Sequence, residues 1–135
     1  MLKKVRITTH LLTVTENGEE TITTESRGGC LIEETGIVLR YPEAENHGTA
    51  MLVAGTELAQ LRRQGDIRTR MTFIEGKLLP MDYATPQAKL DFSLYTHRHE
   101  LVADAVGGRL DVRYTLLLAG VQVADNTLTI QWNFL

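Results

Sequence analysis

LRRQGDIRTRMTF, residues 61–73, decides how the chain is read. Leu61, Ile67, Met71 and Phe73 hold one parity on either side of Gln64, Gly65 and Asp66, and alternation around turn residues describes a β-hairpin with one face toward a core. A slip of one residue would carry every apolar side chain to the other face, so Ala59 and Leu61 must share the face of Met71 and Phe73. That condition sets Leu61 opposite Thr69, Ala59 opposite Met71 and Arg62 opposite Arg68. A two-residue turn at Gln64-Gly65 is rejected because it sets Leu61 against Arg68. The same stretch holds Arg62, Arg63, Arg68 and Arg70 on a chain otherwise balanced in charge. Arg63 falls on the inward parity, and Arg62, Arg68 and Arg70 point outward.

The alternation extends along the whole chain. Val5, Ile7, Thr9 and Leu11 form a first half-buried strand, and Glu16-Asn17-Gly18 turns it into a threonine-rich second one, from about 20 to 30. Gly36 opens a short strand at 37–41. The polar segment 42–48, PEAENHG, reads as a surface loop. Strands follow at 49–54, 57–63 and 67–74, with a single helical turn within 50–63 as the minor alternative. Residues 77–87 are the least regular, because Pro80 and Pro86 each remove a ladder donor. Three long strands close the chain, at 88–101, 109–119 and 127–135. About eight to ten antiparallel strands at this spacing predict an all-β barrel or sandwich in a single domain.

Composition supports that class and excludes others. With 135 residues, 43% hydrophobic and 23% charged, the chain has the composition of one folded domain. A formal net charge of −3 gives no bulk attraction for nucleic acid or an anionic membrane. The lone Cys30, the absence of an apolar leader and of any apolar run of about 20 residues point to a cytoplasmic protein without membrane spans.

Short motifs then recur in a familiar order. LRY, an acidic loop and GT lie within 39–49, RQG and MTF within 63–73, and YATP at 83–86. Over nearly the whole chain this order resembles the uncharacterised bacterial family DUF1934. The resemblance implies an antiparallel up-and-down calycin-like barrel, related to the lipocalins, and the arginine and glycine of the family motif fall on Arg63 and Gly65. Because that family has no established activity, the resemblance implies nothing about function.

Function is therefore sought in the residues. An arginine just inside a barrel mouth offers a rigid fork for a carboxylate or phosphate, so Arg63 is the candidate anchor for a small amphipathic or anionic molecule. Phe73, Phe92, Tyr114 and Trp132 would supply the apolar walls of its site. The alternative is a packed barrel whose Arg62, Arg68 and Arg70 meet an acidic protein, or are neutralised by Glu57, Asp66 or Glu75. Opposed Arg62 and Arg68 would cost up to about 1 kcal/mol without an anion nearby. His97 and His99 share the outward parity, without the spacing of a metal site. Glu43, Glu45 and His47 have acid-base chemistry but no cleft to position them. Cys30 reads as a core thiol. No nucleophile elbow, P-loop or dinucleotide fingerprint occurs, so neither catalysis, metal nor cofactor is expected. The strand edges and the apolar final strand leave a homodimer open.

Overall fold

The computed structural model describes residues 2–135. Within them, ten strands run antiparallel and close into a barrel: β1 (Leu2–Thr15), β2 (Gly18–Glu33), β3 (Gly36–Glu43), β4 (Gly48–Gly55), β5 (Ala59–Gln64), β6 (Arg68–Phe73), β7 (Leu78–Ala84), β8 (Phe92–Ala103), β9 (Gly107–Leu118) and β10 (Val121–Phe134). Each strand pairs with its neighbours in sequence, and β1 closes the ring on β10. The β3–β4, β5–β6 and β7–β8 turns therefore lie together at one end, here the upper end, and both termini lie at the other. No helix among the described residues is long and apolar enough to cross a membrane.

Alternation explains the interior. Ile7, Leu39, Leu52, Phe73, Leu94, Leu110 and Ile130 are fully buried, and Trp132 is 1% exposed. Burying one such side chain contributes about 1.5–3 kcal/mol. Small residues make room for the large ones. Trp132 faces Gly108 across the β9–β10 ladder, and a Cβ on Gly108 would lie 2.3 Å from the indole Cζ2. The lumen is filled by side chains, as narrow barrels commonly are.

The strands expected at 49–54 and 57–63 form as β4 and β5, without the helical turn of the minor alternative, and three other expectations are corrected. Residues 78–84, read as irregular, form β7 in spite of Pro80. β6 pairs only with Asp82, Tyr83 and Ala84, so on that side the missing proline donor falls where no ladder runs. His97 and His99 do not share a face: the β8–β9 register shifts between Thr96 and Arg98, and this bulge leaves His97 exposed while turning the half-buried His99 toward Val112 and the core side.

The third correction concerns the hairpin itself. Leu61 faces Met71, Ala59 faces Phe73, Arg62 faces Arg70 and Arg63 faces Thr69. Parity is as expected, but every partner lies two residues further along. The cause is Asn46, in the segment read as a plain surface loop. A short 3-10 turn, Ala44–Asn46, buries this residue. Its Nδ2 donates to the Ile67 carbonyl and its Oδ1 accepts from the Ile67 N–H, both at 2.8 Å. Asp66 N–H also donates to the Asn46 carbonyl at 2.8 Å. With both backbone groups satisfied by a side chain, Ile67 leaves the ladder and joins the turn.

One strand is only half enclosed. β2 pairs with β1 from Gly18 to Leu31 but with β3 only from Gly29 to Glu33. Above Gly29 its second edge carries no ladder.

Candidate functional site

The arginines stand on a wall made by β5, β6 and β7. Even-numbered residues of these strands face outward, so Arg62, Arg70 and Asp82 form one row across three strands through the pairs Arg62–Arg70 and Arg70–Asp82. Arg70 donates through Nε and Nη2 to one Asp82 oxygen, at 3.0 and 2.8 Å. One row higher, Arg68 faces Ala84 across the β6–β7 ladder, and Ala84 in turn pairs with Lys89. That pairing depends on the turn after β7. The Thr85 hydroxyl accepts from the N–H groups of Gln87 and Ala88, at 3.3 and 3.1 Å, and folds Lys89 back beside the wall.

These side chains line a shallow, open concavity of about 270 Å³. Arg62, Arg63, Arg68, Arg70 and Lys89 line it together with a single carboxylate, Asp82. Asp82 is engaged by Arg70. Among the described residues Arg62, Arg68 and Lys89 have no carboxylate partner. Of the acidic residues considered as neutralising neighbours, Asp66 binds His47 and Glu75 accepts from the His99 N–H at 3.2 Å. Thr69, on the inward parity of β6, has a buried hydroxyl without a hydrogen-bond partner in the protein.

Arg63 occupies the upper rim on the inward side. Its Nε lies between the two carboxylate oxygens of Glu43, at 3.1 and 3.0 Å, with both side chains partly exposed. Behind it, burial holds the phenols of Tyr41 and Tyr114 well above their ordinary range, and the Arg63 charge opposes that rise. Glu43 raises Tyr41 further. Both phenols are therefore neutral.

The expected apolar walls are part of the packed lumen. Phe73 and Tyr114 pack with their rings tilted by 52° and centroids 5.1 Å apart, and Phe92 lies edge-on to Tyr83 at 5.0 Å. Phe73 is fully buried and Trp132 nearly so. A second concavity, about 310 Å³ at the lower end, carries Glu33 and Glu57 and no cation. No cluster of three or more His, Cys, Asp or Glu side chains suited to a metal occurs among the described residues.

The other three imidazoles are exposed, and His99 is half-buried. Its Nε2 has no partner in the protein, and burial lowers its pKa below the ordinary value while Glu75 pulls upward. A folded pKa below the unfolded one means the unfolded chain binds more protons, so this group's contribution is fully present above the unfolded value of about 6.5 and is lost as pH falls toward the folded pKa. Wild type should therefore lose stability relative to His99→Leu as pH falls below about 6.5. Urea titrations at a series of pH values read it, and a difference independent of pH would refute the assignment.

Comparison with known proteins agrees with the architecture. The family model described as a domain of unknown function, DUF1934, matches residues 5–130. The chain belongs to the DUF1934 family. The motif glycine of this DUF1934 chain has a visible cause, since a Cβ on Gly65 would lie 2.0 Å from the Asn46 carbonyl oxygen. Gly48 is equally confined, with its Cβ position 1.7 Å from the Gln64 oxygen. Among solved structures, the ywiB protein from Bacillus subtilis superposes with a TM-score of 0.88, at 14% identity, over 98% of this chain and 92% of that one. At that identity the likeness establishes a shared fold. No curated protein matches.

Proposed function

We propose that this DUF1934 chain is a non-enzymatic barrel that binds a small anion, a carboxylate or phosphate, in the arginine-lined concavity of its outer wall. The observation that carries this reading is the imbalance of charge at β5–β7. Five cationic side chains line the concavity. Asp82 takes Arg70 and Glu43 takes Arg63, which leaves Arg62, Arg68 and Lys89 without a counter-charge among the described residues, and Arg62 is held directly opposite Arg70. Like charges so placed destabilise the sheet by up to about 1 kcal/mol, a cost that an anion bound between them would remove. The packed lumen favours this site over one inside the barrel, and Arg63 then serves as its rim with Glu43 fixing the guanidinium. The exposure of Arg68 and Lys89 favours a second reading, an acidic segment of a partner protein docking on the same side chains.

Titration with pyrophosphate and, separately, with a glutamate-rich peptide tests both, followed by backbone NMR shifts and calorimetry. Pyrophosphate should shift residues of β5, β6 and the β7–β8 turn, and Arg62→Ser with Arg68→Ser should weaken it by roughly tenfold per arginine. Shifts from the peptide alone would favour the second reading. Absence of shifts on the wall in both titrations would refute anion binding there.

A further inference from the structure

We infer that two copies of this chain pair edge to edge along the upper half of β2, in one antiparallel register centred on Thr23. The edge from Gly18 to Arg27 has no strand laddered to it, and none of its backbone groups bonds to a turn or loop. An open edge of this length is a template for another strand, and its residues Thr21, Ile22, Thr23 and Thr24 are β-branched. Symmetry and charge then select the occupant.

A two-fold axis joining two such edges stands normal to the sheet, so directly opposed residues share a face and each register is centred on one residue. Centring on Ile22 opposes Glu19 to Glu25, and centring on Glu25 opposes that residue to itself. Registers centred on Thr21 or Thr24 bring no opposite charges together. Centring on Thr23 opposes Glu19 to Arg27, twice by symmetry, sets Ile22 beside Thr24, and places residues 19–27 of both copies in the ladder.

Neither of these two side chains has a counter-charge among the described residues of the monomer. Arg27 is held directly opposite Arg6 on β1, and Arg6 gives its Nε to Glu25 at 3.2 Å. Glu19 faces Val14 and has no cation beside it among the described residues. A second copy supplies each with its counter-charge, and also covers Ile22, which is 44% exposed. The result joins two barrels through a continuous sheet. Since β2 lies across the barrel from β6, the arginine concavity stays open, and this pairing is independent of the anion reading.

Native mass spectrometry and sedimentation of the full chain test it. Wild type should appear at twice the chain mass of 15.1 kDa. Arg27→Glu, which opposes two pairs of carboxylates, should weaken the dimer by about tenfold or more, and Thr23→Lys, which sets two ammonium groups on the axis, should do the same. Combining Arg27→Glu with Glu19→Arg exchanges the charges and should restore the dimer. A wild-type monomer at every soluble concentration, a dimer unaffected by both single substitutions, or a charge exchange that fails to restore it would each overturn the proposed pairing.

Discussion

Trp132→Ala should lower the unfolding free energy by about 3–5 kcal/mol, a large share of the stability of a domain this size. The indole is almost wholly buried and lies against Gly108, which has no side chain to close the gap. Neighbouring β10 and β9 backbones are tied by their ladder and cannot collapse inward. The loss is therefore both the transfer of an aromatic ring to water and the cavity that remains. Urea unfolding followed by circular dichroism reads it, because the substitution removes the chain's only tryptophan. A loss under about 1 kcal/mol would mean that the lumen is looser around this ring than its burial implies.

Asn46→Ala should cost roughly 2–4 kcal/mol, although it removes no apolar surface. Two backbone groups of Ile67 lose their partners at once, and each half-buried group left unbonded costs about 1–3 kcal/mol. Gly65→Ala attacks the same junction from the other side, pushing a methyl into the Asn46 carbonyl. Both variants should lose stability, and the NMR signals of residues 59–73 should broaden or double as the hairpin samples its other register. Retention of wild-type stability by both would show that the Asn46 contact is incidental.

Much of the fold was legible because a barrel strand advertises its face by parity. Leu61, Met71 and Phe73 required no tertiary knowledge, and the inward position of Arg63 followed from them. What parity cannot detect is a shift of two residues, which leaves every side chain on its proper face. That is how Arg62 came to stand against Arg70 instead of Arg68. The bulge after Thr96 was hidden for a related reason, since polar His97 and Arg98 give no hydrophobic mark of where the phase changes. Asp82 was missed because the prolines obscured β7, and Lys89 because its place depends on a turn built by the Thr85 hydroxyl. Asn46 acts on Ile67, 21 positions away, and no local pattern announces it. Four of the five cations of the candidate site were therefore visible in the sequence, while the carboxylate and the turn that complete it were not.

The Asn46 clamp also bears on the order in which the chain folds. β5 and β6 have two three-residue loops available to them, both of which bury the same side chains, and so a hairpin formed alone would exchange between them. The contact that chooses belongs to the β3–β4 turn. That earlier hairpin must form first, or at the same time, before the arginine wall acquires its alignment. A fragment containing residues 57–75 should thus remain a mixture of registers in solution, and one extended back to residue 36 should settle into a single one.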